Sequence, residues 1–285
     1  MRALLFASML LASAGAQAFD LGKALEKLND PETQKALGIG KKMVKSLQDI
    51  PEPQEIEIGE GVAARLLGAA PLVRNDALQK YVNRVGLWLA LQTDRPGLPW
   101  RFGVTDDPDV NAFATPGGTI LITRGLYEKL RNESELAGVL AHEIAHVLRK
   151  HQLKAIKSAL GREWQLELAQ AAADRKNNKD AAQSLKAFTA GTELFARGLD
   201  KGDEFEADRM GVVIAARAGY NPFGLVASLQ TLDAVNPQDG AVALMFKTHP
   251  SPAKRLEMLG NAVGTRLDAL ADKGKEPARF VALKK

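Results

Sequence analysis

Cysteine is absent from this 285-residue chain. No disulfide can form and no lipid can be attached through a thiol, so the folded chain must rely on its core, which a chain of this length can supply. Histidine is scarce too: His142, His146, His151 and His249 are the full set. Beyond the N-terminal segment no run of about 18 apolar residues occurs, which predicts no membrane span. No dense Lys/Arg stripe interleaved with aromatics appears. The net charge of +4, from 38 basic and 34 acidic residues, is mild, so nucleic acid is not an expected partner. There is also no internal repeat with a period of 20–50 residues.

What is present, 46% hydrophobic and 25% charged, suits one large globular domain with appendages. Residues 1–18 read as a secretory signal peptide: Arg2 is the charged start, 3–12 the apolar stretch, and Ala16-Gln17-Ala18 the cleavage site. Export is therefore expected, without a lipid anchor. Residues 19–55 read as a Lys-rich helical arm closed by a stiff Pro51-Glu52-Pro53 linker. The arm either packs on the domain, lies on a membrane surface or acts as an inhibitory prosegment. Residues 56–263 form the expected domain and 264–285 a short basic tail.

Within the domain, Asn75 or Asp76 opens a helix with Leu78, Val82, Val85 and Leu89 on its buried side. Segments 100–104, 110–114 and 119–123 alternate or run apolar like strands, with Thr115-Pro116-Gly117-Gly118 as the turn between the last two. A small antiparallel sheet is thus expected before residue 132. Residues 152–197 read as a helical hairpin. Asp203 caps a helix over 204–218, Pro222 opens another, and Ser251-Pro252 opens the last.

Residues 132–151 read as one helix. Asn132 caps it with Glu135 in capping-box register, and acidic residues at its start and basic ones at its end suit the helix dipole. His151 then falls in the solvated last turn. Inside lies His142-Glu143-Ile144-Ala145-His146, the pattern HExxH. Residues four apart on a helix stand one above the other, so two imidazoles can reach one zinc ion. Glu143 is rotated to the flank, where a carboxylate can act on a water in the metal's open position. The plainer alternative is a buried helix with two hydrogen-bonded histidines.

Two imidazoles are too few for a stable site, so a third ligand must come from elsewhere. Asp203-Glu204-Phe205-Glu206-Ala207-Asp208 is the best source. Glu204 opens a helix and Asp208 lies one turn on, so Glu204 can bind zinc while Asp208 accepts the outer ring N–H of a ligand histidine. Glu206 is turned about 200° away from Glu204 on the helix wheel.

Together these segments, with Asn111-Ala112-Phe113-Ala114-Thr115-Pro116-Gly117-Gly118, Gly219-Tyr220-Asn221-Pro222, and His249-Pro250 followed by Arg255, resemble a known family over residues 71–259. It is the family of zinc metallopeptidases that contains the CAAX prenyl proteases, HtpX and the BepA-like periplasmic proteases. The resemblance implies an α+β, mostly α, zincin-like (gluzincin) domain. It implies one Zn2+ per chain on His142, His146 and Glu204, with Glu143 as catalytic base and Asp208 in support. The membrane helices of the first two branches and the helical repeats of the third are not evident, so the expectation is a stand-alone peptidase domain of the exported branch.

The expected function is hydrolysis of peptide bonds in unfolded or misassembled envelope proteins. The alternative is a zinc-containing chaperone or scaffold with a closed site. His249 or Arg255, and less readily Tyr220, can donate to the developing oxyanion. His249 can instead close zinc's open position, or merely pack under the Pro250 turn. If Asn111, Ala112, Phe113 and Ala114 form an exposed sheet edge, an extended polypeptide substrate can add to it by main-chain hydrogen bonds; the alternative is a plain hairpin. Peripheral contact with the membrane or with envelope assembly machinery is a further expectation.

Overall fold

The computed structural model describes residues 50–156, 158, 199–236, 239–271 and 280–281. The expected signal peptide, all but the end of the arm, most of the 152–197 hairpin and most of the tail lie outside the described residues.

Pro51 and Pro53 do not make a linker. Pro51 is the N-cap and Pro53 sits in the first turn of helix α1, Glu52–Ala69. The reason is that the first turn needs no N–H from these positions and proline's fixed φ already suits a helix. Glu55 on α1 is fully buried yet well paired. Its carboxylate receives both Arg95 Nη atoms (2.9 and 3.0 Å), Lys150 Nζ (3.1 Å) and the Gly117 N–H (3.3 Å). Burial pushes the carboxyl up, but Arg95 and Lys150 outweigh it and hold it below the usual range. One side chain thus ties α1 to the 115–118 turn and to the end of the HExxH helix.

Helix α2, Asp76–Ala90, is capped by Asn75 and buries Leu78, Val82, Val85 and Leu89, the face its periodicity predicts. Three strands follow: β1 (Arg101–Thr105), β2 (Ala112–Ala114) and β3 (Thr119–Thr123). The sheet is mixed and not antiparallel throughout. Its order is β1-β3-β2, with β1 parallel to β3 and β2 antiparallel to β3. Hydrophobicity explains the order. The run Thr119-Ile120-Leu121-Ile122-Thr123 is almost wholly buried and takes the centre, while the half-exposed β2 is left at the rim. Side chains of α2 close the outer edge of β1: Asn83 Oδ1 accepts from Phe102 N (3.0 Å), and Gln79 both accepts from Val104 N and donates to Val104 O (2.9 Å each). At the edge of β2 the Ala112 N–H donates to its neighbour Asn111 Oδ1 (2.9 Å), and no side chain from another described element bonds that edge.

The HExxH helix, α3, runs Glu133–Leu148 and is buried along nearly its whole length. Asn132 Oδ1 accepts from Glu135 N, while the Glu135 carboxylate reaches back to Arg131 N. The helix stops three residues short of expectation because Lys150 takes φ 56, a left-handed stop, and helical structure resumes at His151. α4 (Lys201–Arg217) and α5 (Gly224–Asp233) pack on α3, and α7 (Pro252–Val263), which follows the short α6 (Ala243–Thr248), packs on α4 and α5. Asp200, not Asp203, caps α4, and α5 begins at Gly224, just beyond Pro222. Gly211 lets α4 lie against α3 at the HExxH motif: a Cβ there would stand 2.9 Å from His142 N. Among the described residues no helix is long and apolar enough to cross a membrane.

Candidate metal centre

His142 and His146 project from one face of α3 and are buried. Their rings meet edge to face at 4.6 Å, with the two Nε2 atoms 3.0 Å apart. From the first turn of α4, fully buried Glu204 brings its oxygens to 3.7 Å from His142 Nε2 and 3.5 Å from His146 Nε2. One ligand atom from each of the three lies within 4.8 Å of the others. Asp208, one turn along α4, sits behind the pair: its Oδ1 is 2.9 Å from His142 Nδ1. Arg255 of α7 grips the same carboxylate with two prongs, Nε to Oδ2 at 3.0 Å and Nη2 to Oδ1 at 2.5 Å.

The donor set fits a cation. His142 spends its Nδ1 hydrogen on Asp208, which leaves the Nε2 lone pair facing inward. Both Glu204 oxygens are buried and have no hydrogen-bond partner among the described residues. A buried carboxylate without a donor is costly. Two imidazole nitrogens and an orphaned carboxylate oxygen, grouped at this size, match what Zn2+ takes from protein.

Electrostatics agree. Burial lowers the pKa of His142, aided by Arg255, and that of His146, aided by the neighbouring imidazoles, so both rings are neutral as ligands must be. Burial raises the Glu204 carboxyl to about 8 and Glu143 to about 7. Burial also presses on Asp208, but Arg255 and the His142 hydrogen bond hold that carboxyl well below the usual range.

A pH dependence follows. A carboxyl raised from 4.5 contributes stability that fades as pH climbs through its folded value. A histidine lowered from 6.5 contributes stability that fades on acidification. Between pH 6.5 and 8, therefore, only the two carboxyls titrate among these groups. The Tm of the metal-free chain is expected to fall across that window, and added zinc, which replaces the proton on Glu204, to flatten the fall. Thermal melts at three pH values with and without zinc check this.

Glu143 lines the cleft beside the cluster, together with Asn111, Ala112, Phe113 and Ala114 of the β2 segment, His146, Glu204 and His249. The cleft encloses about 570 Å³, part of it open to solvent. His249 lies at the cluster: its Nε2 is 3.7 Å from Glu204 Oε2. Burial, with Arg255 nearby, lowers its pKa to about 3, so the ring is neutral. Arg255 is committed to Asp208 through Nε and Nη2 and stands 3.2 Å from His142 Nδ1, which places it behind that histidine. Tyr220 is elsewhere, donating to Glu133 at the opposite end of α3.

His151 is the main departure. It is not a solvated last-turn residue but fully buried, with Nδ1 2.8 Å from His146 Nδ1 and Nε2 near Asp203 and Glu206. Had α3 continued, position 151 would have faced away from position 146; the break at Lys150 returns it. The one sequence signal was scarcity, because all four histidines of the chain gather here.

Residues 76–263 match the sequence profile of Peptidase family M48. The chain is 29% identical over 206 residues to the Beta-barrel assembly-enhancing protease of Escherichia coli (strain K12), covering 71% of this chain and 42% of that protein. It is 31% identical over 182 residues to the Mitochondrial metalloendopeptidase OMA1 of Schizosaccharomyces pombe, covering 63% and 51%. It is 29% identical over 168 residues to the Metalloprotease LoiP of Escherichia coli (strain K12), covering 59% and 64%. The match thus spans less than half the length of the assembly-enhancing protease.

Proposed function

The chain belongs to peptidase family M48, and from that premise we propose that it is an exported, periplasmic, zinc-dependent endopeptidase acting on unfolded or misassembled envelope proteins. The observation that carries the reading is the buried cluster of His142, His146 and Glu204, whose carboxylate lacks any donor, set beside Glu143 and an open strand edge. Similarity to the Beta-barrel assembly-enhancing protease supports the envelope setting.

His142 Nε2, His146 Nε2 and a Glu204 oxygen would hold one zinc ion. When bound, zinc supplies Lewis acidity, bringing a water's pKa to about 7 and polarising the substrate carbonyl. Glu143 handles the proton: its carboxylate accepts one from the attacking water and returns it to the departing amine nitrogen. A carboxyl near 7 is suited to both steps. Asp208 holds His142 with its proton on Nδ1, and Arg255 braces Asp208. Asn111, Ala112, Phe113 and Ala114 would bind the substrate as an added strand. Ladder bonds at Asn111–Thr123 and Thr115–Thr119 turn the main-chain groups of Ala112 and Ala114 outward; Asn111 Oδ1 holds the Ala112 N–H (2.9 Å), which leaves the Ala112 carbonyl and the Ala114 main chain for a substrate. Edge pairing reads backbone and not sequence, and it excludes folded proteins. Gln152 Oε1, buried and unpartnered at the same cleft, offers an acceptor to a substrate N–H.

A specific observation favours a latent resting state. Thr248 Oγ1 donates to Leu244 O (2.8 Å), so at 2.9 Å from His249 Nδ1 it can only accept. The neutral His249 ring then carries its proton on Nδ1 and turns an Nε2 lone pair to the cluster. That is the form of a fourth metal ligand and not of an oxyanion donor. The expected result is that His249→Ala hydrolyses an unfolded, non-cysteine model protein faster than wild type. Both should spare the same protein when folded, and both should stop with a chelator and restart with zinc. Cleavage indifferent to chelation would overturn the metallopeptidase reading. Suppressed aggregation without cleavage by either form would favour the chaperone or scaffold reading.

A further inference from the structure

We propose that His151 is a positioning residue for the metal site: it keeps the His146 proton on Nδ1 and so keeps the His146 Nε2 lone pair turned to the ion. The inference rests on His142, His146 and Glu204 being the zinc ligands. At 2.8 Å, one proton is shared between His146 Nδ1 and His151 Nδ1. The other side of His151 decides whose it is. His151 Nε2 faces Asp203 Oδ1 at 3.2 Å and Glu206 Oε2 at 3.3 Å, and carboxylate oxygens only accept. Nε2 must carry the hydrogen, so Nδ1 of the neutral His151 ring is the acceptor and His146 the donor. The opposite assignment would aim a lone pair at two carboxylates and put a proton where His146 meets the metal.

The two ligand histidines are thus backed differently. His142 donates to Asp208 directly. His146 donates through an imidazole to two carboxylates, which Arg149 (Nη2 to Glu206 Oε1, 2.5 Å) and Lys154 (Nζ to Asp203 Oδ1, 3.5 Å) hold in place. The left-handed Lys150 brings His151 back beneath α3. Outer partners of this kind fix tautomer and ring orientation and raise ligand basicity. His151, Asp203 and Glu206 are also close enough together to hold a cation of their own, but two side-chain cations already occupy those carboxylates.

The test uses the full chain labelled with 15N-histidine, where four residues give an assignable spectrum. In the zinc-loaded wild type, His151 should be protonated at Nε2 and bare at Nδ1, where it accepts from His146. Zinc affinity, measured by competition with a chelator, should drop about 10–100-fold in His151→Leu. His151→Asn, whose Oδ1 stands near the lost Nδ1 acceptor, should recover most of it. A purely packing role would make Leu the milder change. His151 carrying a proton on Nδ1 in the zinc-loaded wild type would overturn the proposal even if neither variant folds. So would His151→Leu binding zinc within about 2-fold of wild type, against the drop expected when an outer partner is removed. A second zinc per chain lost with His151 would replace the proposal with a second metal site. A wild type that binds no zinc would sink the ligand reading, and this one with it; equal binding by wild type and His151→Leu sinks this one alone.

Discussion

Glu143→Gln should lower peptide hydrolysis by about 10²–10⁴-fold, the usual contribution of a positioned general base, while leaving zinc content and Tm close to wild type. Gln matches Glu in shape and cannot take a proton from water. Glu143 is buried at the cleft, yet no hydrogen bond or ion pair holds it among the described residues. Its role is therefore separable from the fold. Burial lifts its carboxyl to about 7, so the wild type has a base able to exchange protons in both directions. Single-turnover assays on an unfolded substrate, beside zinc analysis, read the effect. A Gln variant that cleaves as well as the wild type would remove Glu143 from the chemistry.

Glu204→Met should do two opposite things. Zinc binding should be lost, because two imidazoles alone do not make a stable zinc site. The metal-free chain should become more stable, by about 1–3 kcal/mol, because a buried carboxyl with both oxygens unpartnered is replaced by an apolar side chain of similar length. The wild-type Tm should rise with zinc, the variant's should start higher and not move. A structural carboxylate would give the reverse: a lower Tm on substitution and no difference in zinc response. Asp208 supplies the contrast. Its carboxylate is paired with Arg255 and His142, so Asp208→Leu should cost stability with or without zinc, leaving Arg255 buried without its partner.

The site's central residues were legible because helix geometry is local. Four-residue spacing sets the His142–His146 pair, and the same spacing along α4 places Asp208 behind His142 while Glu204 faces it. Glu204 and Glu206 were separable for the same reason, and the latter ends up with Arg149 and His151. What was not legible depends on contacts between elements. The sheet's parallel pairing follows from β3 being the most buried strand, a comparison that no single strand's pattern contains. The closed β1 edge depends on Gln79 and Asn83, which read as ordinary polar positions on α2. His151 was misplaced because one non-glycine residue, Lys150, takes a left-handed φ, and no motif announces that. Arg255 was legible only as one candidate oxyanion donor; its pairing with Asp208 joins positions 47 residues apart, which no local pattern contains.

One ion and its neighbours are central to the proposed chemistry. X-ray absorption at the zinc edge, on the purified chain carrying a single equivalent of metal, addresses it most directly. The expected spectrum has at least two imidazole nitrogens and a carboxylate oxygen at about 2.0–2.2 Å, and the oxygen shell changes in Glu204→Met. A chain that retains no zinc, or a coordination shell unaltered when Glu204 is replaced, would contradict it.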